Sequence, residues 1–268
     1  MPRLYLIPTP LGNINKDAAP DAQLAPQGRR PQFSIFNFQF SILPSLRHFI
    51  VENVRTARRA LRLMGYTASF DDTVFFELNE HTPDEALASF LEPLAEGHDM
   101  GLMSEAGVPC IADPGARIVA LAQKMSAGHR PILNSQFSIE IVPLVGPCSI
   151  ILGLMGSGFN GQNFAFLGYL PFDAKQRQET LKRIEQGIFR HDQTQILIET
   201  PYRNNKLLAE LATKMPPETL ICVARDLTLP TQSIRVLPAR QWLQQKSTTG
   251  GSPEDLNKHY CVFLLYKS

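Results

Sequence analysis

The chain predicts an α/β protein made of two α/β domains with a cleft between them, on three observations. Short apolar runs alternate with helically periodic stretches over most of its length, which argues for a mostly parallel sheet. Several of those runs end in loops shaped by proline and glycine, and in alternating α/β proteins ligands bind beyond the carboxyl ends of strands. Gly146-Pro147 closes one alternating series just before another begins. We place the domains at residues 1–145 and 146–268.

In order, Leu4 to Ile7 reads as a strand stopped by Pro8-Thr9-Pro10-Leu11-Gly12-Asn13. Phe49 to Val51 is a short strand, and Glu52 to Met64 a helix with Val54, Ala57, Leu61 and Met64 at apolar spacing. Val74 to Glu77 is a strand, Asn79-Glu80-His81-Thr82 a polar turn, and Pro83 to Glu96 a helix ended by Gly97. Met100 to Met103 feeds the most elaborate loop of the chain, Ser104-Glu105-Ala106-Gly107-Val108-Pro109-Cys110-Ile111-Ala112-Asp113-Pro114-Gly115. There Asp113 is the expected N-cap and Pro114 the first residue of a helix to Lys124. A strand at Ile141 to Val145 precedes Gly146. The second half adds strands at Phe164 to Leu167, Gln195 to Ile198, Leu220 to Ala224 and Tyr260 to Leu265, the last of these antiparallel. Helices are expected at Ser149 to Met155, Ala174 to Gln186 and Tyr202 to Lys214.

Two segments interrupt this order. An Ala-, Pro- and Gln-rich stretch runs into aromatic residues near 18–44, and a shorter interruption lies near 130–139. Gln-Phe-Ser-Ile occurs in them at 32–35, 39–42 and 136–139, which marks insertions; two strands sharing a period-two face through Phe36, Phe38, Phe40 and Ile42 are the alternative.

Bulk properties exclude several classes. The 268 residues carry 44% apolar residues and a net charge of +1, so a polyanion needs a local basic surface and not the field of the whole molecule. The four cysteines lack a Cys-x-x-Cys pair and the six histidines are scattered, so no metal is expected. No apolar run approaches the ~18 residues of a membrane span, and the reading is cytoplasmic. Gly156-Ser157-Gly158-Phe159-Asn160-Gly161 matches a dinucleotide fingerprint only as a string, because it follows a helix and precedes a strand. Walker, zinc-protease and nucleophile-elbow motifs are absent. On the helix after Val51, Arg55, Arg58, Arg59 and Arg62 fall in one row opposite the apolar stripe, as suits RNA phosphates; a solvated face is the other reading of that spacing.

Pro8 to Asn13, Ser104 to Gly107 with Asp113-Pro114-Gly115, Pro143-Leu144-Val145-Gly146-Pro147-Cys148-Ser149 and Glu199-Thr200-Pro201-Tyr202-Arg203 occur together in this order. In that combination the chain resembles the tetrapyrrole methylase superfamily, and within it the branch that methylates the ribose of cytidine in small-subunit ribosomal RNA. The resemblance implies a homodimer of two-domain subunits that binds S-adenosylmethionine in the interdomain cleft. By position it assigns to the cofactor Pro10, Leu11 and Gly12; Ser104, Glu105, Ala106, Gly107, Pro109, Ile111 and Asp113; Pro147, Cys148 and Ser149; Leu167, Gly168, Tyr169 and Leu170; and Ala224 with Arg225. Loops of this kind present backbone donors and acceptors to an adenine and an amino-acid tail without a metal. Where the branch reads Glu-Asp-Thr-Arg, this chain has Glu52-Asn53-Val54-Arg55, which keeps Glu52 and Arg55 and replaces the two residues between.

The expected chemistry is in-line transfer of a sulfonium methyl group to a ribose 2′-hydroxyl of small-subunit ribosomal RNA, driven largely by alignment. Glu52, Glu80 and His81 are candidate bases and Arg55 a further catalytic candidate; the three candidate bases also fit capping or solvated roles. The alternatives are a methyltransferase for a small tetrapyrrole-like acid and a non-catalytic cofactor- or RNA-binding protein.

Overall fold

Each strand in the first half carries apolar residues on both faces, as a sheet covered on both sides requires. In the computed structural model, which describes residues 1–12, 40–126, 138–244 and 255–268, five such strands form a parallel sheet. They are β1 (Arg3–Ile7), β2 (His48–Val51), β3 (Val74–Glu77), β4 (Met100–Met103) and β5 (Glu140–Pro143), in the order β3-β2-β4-β1-β5. They belong to a compact unit spanning Met1–Pro147, and Cys148–Ser268 forms a second.

Period-two alternation divides the core of the first unit. Leu4, Ile50, Met100 and Leu102 pack with Leu87, Leu91, Leu94, Ile118 and Ala122 in one cluster. Tyr5, Ile7, Phe49, Val51 and Met103 pack with Leu43, Leu46, Ala57, Ala60, Leu61 and Tyr66 in another. Helix α1 (Val54–Leu63) follows β2. The helix expected over Pro83 to Glu96 is broken into a 3-10 turn, Asp84–Ala86, and two single turns, α2 (Leu87–Phe90) and α3 (Glu92–Ala95). Pro93 explains the break: it has no N–H to donate backwards, and its ring crowds the preceding turn. Helix α4 (Gly115–Ser126) follows β4.

Most of the two insertions lies outside the described residues. Where the first becomes described, Phe40–Ser45 is a 3-10 helix and not a strand. Pro44 within it cannot donate to a ladder, and Phe40, Ile42 and the buried Leu43 pack against the Phe49 cluster.

The second unit holds β6 (Phe164–Phe166), β7 (Thr194–Ile198), β8 (Leu220–Arg225), β9 (Ser233–Pro238) and β10 (Cys261–Tyr266), in the order β6-β7-β10-β8-β9. β6 and β7 run parallel, and β10 is antiparallel to both β7 and β8. The carboxyl ends of β6, β7 and β8 and the amino end of β10 therefore share one edge of this sheet. Helices α5 (Ser149–Ser157), α6 (Ala174–His191) and α7 (Asn204–Lys214) match expected elements. β9 and α8 (Ala239–Gln244) were not anticipated. α8 buries Trp242, whose indole N–H donates to the Ile221 carbonyl at 3.0 Å. Among the described residues no helix is long and apolar enough to cross a membrane, no group of side chains could hold a metal ion, and the cysteines form no disulfide.

Candidate functional site

In the parallel sheet the chain leaves β1 towards β2 on one side, whereas from β4 it passes across β1 to β5 on the other. Neighbouring strands with oppositely directed exits leave a crevice at their carboxyl ends, the place where open α/β sheets bind ligands. The loops there are 8–12 and 104–114, both singled out by their proline and glycine content. A backbone bridge joins them: the Thr9 N–H donates to Gly107 O at 2.9 Å and the Gly107 N–H returns to Thr9 O at 3.1 Å. The buried Thr9 hydroxyl donates to Ser104 O at 3.2 Å, and the Ser104 hydroxyl to Gly107 O at 2.9 Å.

A third segment joins through Val108, whose N–H donates to Pro147 O at 3.1 Å. Gly107 adopts φ +77°, and a Cβ there would come within 3.0 Å of both Leu11 Cδ2 and Pro147 O, so only glycine suits the junction. Gly146 is excluded from change by contact alone, since a Cβ would lie 2.1 Å from Pro8 Cβ. The structure thus brings together Leu11, Ser104, Gly107 and Pro147. Glu105, Ala106, Pro109 and Ile111 stand on the same loop, as Pro10 and Gly12 do on the other. Cys110 and Ala112 hold φ of 70° and 60°, a left-handed conformation that costs a non-glycine residue ~1–2 kcal/mol and needs a fixed surrounding. Asp113 supplies it: one carboxylate oxygen accepts from Cys110 N and the other from Gly115 N, each at 2.6 Å. Burial pushes the Asp113 carboxyl up and, with that carboxylate nearby, the Cys110 thiol to about 12.

One further carboxylate meets this loop. Glu52 directly follows β2 and accepts the Glu105 N–H at 2.9 Å. Burial raises its pKa, the Glu105 N–H opposes that, and the charges of Asp113 and Glu105 add to the rise. The Thr56 hydroxyl donates to the Glu105 carboxylate. Asn53 is the N-cap of α1, its side-chain oxygen accepting from Arg55 N at 3.0 Å and Thr56 N at 3.2 Å. Glu80 and His81 are not drawn in. They face each other at 3.5 Å in the turn after β3, each side chain 86% exposed, and neither is hydrogen-bonded to Glu52.

The arginine row divides in two. Arg58 lies 5.3 Å from the ring centres of Phe70 and Phe75. Arg62 lies 4.1 Å over Phe70 and donates to the carbonyls of Tyr66 and Ala68 at 2.6 and 3.0 Å. Arg55 and Arg59, exposed on the same face, make no ion pair or ring contact among the described residues. In the second unit, Leu167, Gly168, Tyr169 and Leu170 follow β6, with Leu170 buried and Gly168 accepting the Ile198 N–H at 3.0 Å. Ala224 and Arg225 end β8 at the same edge. Cys148 precedes α5, which Ser149 opens.

Sequence reasoning missed Thr9 and Thr56, which join the loops. Thr9 carried a signal in its setting between two prolines; Thr56 had none, because its partner lies 49 residues away.

No protein-family model matches the chain. It is 28% identical over 237 residues to the ribosomal RNA small subunit methyltransferase I of Vibrio cholerae serotype O1, covering 88% of this chain and 69% of that one. It is 28% identical over 241 residues to the protein of that name from Escherichia coli O157:H7, covering 90% and 71%. Its fold is that of the methyltransferase CobJ, with a TM-score of 0.54 at 18% identity over 90% of each chain. The resemblance read from the motifs therefore holds over most of the sequence.

Proposed function

We propose that the chain is an S-adenosylmethionine-dependent methyltransferase acting on a ribose 2′-hydroxyl of small-subunit ribosomal RNA. The observation that carries this reading is the pair of loops bridged through Thr9 and Gly107 at the switch point of the parallel sheet. It is supported by the similarity to ribosomal RNA small subunit methyltransferase I proteins over most of the chain. The loops also suit the cofactor's charge. Residues 8–12 and 104–114 contain no lysine or arginine, while Glu52, Glu105 and Asp113 stand among or against them. Such a surface favours a sulfonium cation over a phosphate-bearing cofactor.

Pro10 to Gly12, Ser104 to Asp113 and Pro147 are the candidate cofactor residues of the first unit, and Cys148, Ser149, Leu167 to Leu170, Ala224 and Arg225 are those of the second. Bound S-adenosylmethionine supplies an electrophilic methyl group on sulfur. The chain's own task is alignment of the acceptor and removal of one proton. Glu52 is the base in this reading. Its raised pKa strengthens it as a proton acceptor, and the Glu105 N–H fixes its direction. Arg55 and Arg59 hold RNA phosphates, and the assembly is a homodimer, as the resemblance implies.

The test is incubation with radiolabelled S-adenosylmethionine and small ribosomal subunits from a strain lacking the corresponding methyltransferase. Label is expected in the RNA, in a dinucleotide that resists alkali because its 2′-oxygen is blocked. Cofactor binding without label in RNA would overturn the reading.

A further inference from the structure

One edge of the second sheet carries side chains that the cofactor assignment does not use. The loops after β6 and β7 read Leu170-Pro171-Phe172-Asp173 and Thr200-Pro201-Tyr202-Arg203. Each puts an aromatic residue directly after a proline and directly before the N-cap of a helix. Phe172 is 85% exposed and Tyr202 76%. Exposed rings on a mobile loop would be unremarkable, but both loops are pinned. Asp173 caps α6 through Gln176 N at 2.9 Å, and Arg177 donates to Pro171 O at 3.0 Å. The Arg203 carbonyl accepts the Leu207 N–H in α7, and Pro201 O accepts the Lys258 N–H at 3.1 Å. The guanidinium of Arg203 lies 4.4 Å over the Phe172 ring and 3.5 Å from the nearly buried Glu199 carboxylate, which joins the two loops.

We propose that Phe172, Tyr202 and Arg203 form a stacking platform for an unpaired base of the RNA substrate. The inference rests on the ribosomal RNA reading and adds that the RNA is engaged as a single strand. Aromatic faces bind bases of any identity by stacking, and arginine adds a cation–π contribution. Loops already fixed by prolines and helix starts lose little conformational entropy when a base arrives. The exposed apolar surface here is chiefly aromatic. Arg203 and Lys258 supply positive charge beside it, while Glu199 is paired with Arg203 at 3.5 Å and Asp173 is engaged as the cap of α6. Exposed aromatic faces beside a guanidinium and a lysine suit a nucleobase and the phosphates that flank it.

The full chain is titrated by fluorescence anisotropy with a short unstructured RNA and with the same strand in duplex, and calorimetry follows S-adenosylmethionine in parallel. The single strand is expected to bind more tightly. Phe172→Ala and Tyr202→Ala should each weaken it about ten-fold, since stacking on one aromatic is worth that order. Tyr202→Trp should restore binding, and the salt slope and cofactor affinity should stay unchanged because neither a charge nor a cofactor contact is removed. If both alanine variants bind as the parent does while Arg55→Ala/Arg59→Ala weakens, the platform fails and the RNA reading stands. If the parent binds neither RNA and labels no ribosomal subunit, the reading fails and the platform with it. If the variants change sedimentation mass and not RNA affinity, the surface joins copies of the chain and the proposal is overturned.

Discussion

Asn53 shows how one side chain preserves an architecture while changing its chemistry. It stands where the resembling branch has an acid, yet its amide oxygen accepts two of the free N–H groups at the start of α1, those of Arg55 and Thr56. Asn and Asp are near-equal caps, so the exchange leaves the helix start intact. Asn53→Ala should lower stability by about 1 kcal/mol in urea denaturation and Asn53→Asp should not. Glu52, one residue earlier, sets a pH dependence. Its folded pKa is raised above the ordinary 4.5, first by burial. The folded chain therefore holds this proton longer than the unfolded one, and the associated stability is complete below 4.5 and lost as pH rises through the raised value. Asp113, raised from 3.8 chiefly by burial, acts in the same direction. Glu52→Gln should flatten that part of the stability–pH curve measured by denaturant titration. It should also reduce the methylation rate by more than it weakens cofactor binding, since Glu105 and Asp113 keep their charge.

At the scale of elements, the row on α1 holds two kinds of arginine. Arg58 and Arg62 are spent on Phe70, Phe75 and Tyr66, so truncating them should cost stability, about 0.5–1 kcal/mol for each cation–π interaction removed. Arg55→Ala/Arg59→Ala should leave the thermal midpoint unchanged and lower the slope of log affinity for single-stranded RNA against log salt by about 1.4. Comparing the two double variants in both assays separates the roles. The helical period placed all four arginines on one face, but nothing local to α1 could reveal that Phe70 and Phe75 would rise beside half of them. The same limit applies elsewhere. Strands buried on both faces and helices with a clear stripe were legible because their pattern is local. β9 was not, because each of its residues is only half-buried and its apolar run is interrupted by Arg235. The site loops were legible from their prolines and glycines. The carboxylate contacts of Glu52 and Glu105 were not, since they arise only when β2 and β4 become neighbours.

For the whole molecule, each unit has its own sheet and its own apolar clusters, and a ligand that binds only the folded chain must raise its stability by mass action. S-adenosylmethionine at a hundred times its dissociation constant should add about 2.7 kcal/mol, read as a concentration-dependent rise in the thermal midpoint. ATP shares the adenosine but carries phosphates, and against Glu52, Glu105 and Asp113 it should give no comparable rise.

The strand order also has a bearing on synthesis. β1 lies between β4 and β5, so its neighbours are encoded far downstream: Arg3 meets Asp99 at a separation of 96 residues and Glu140 at 137. On the ribosome β1 is made before either partner: one side of Leu4 to Ile7 waits for residue 103 to emerge and the other for residue 143. β2 and β3, by contrast, are adjacent in the sheet and close in the chain. Long-range parallel pairing is slow and leaves apolar strands open to wrong partners. The loop that meets Gly107 hangs from that waiting strand, so a ligand site built on Thr9 is completed only near the end of the first unit's assembly.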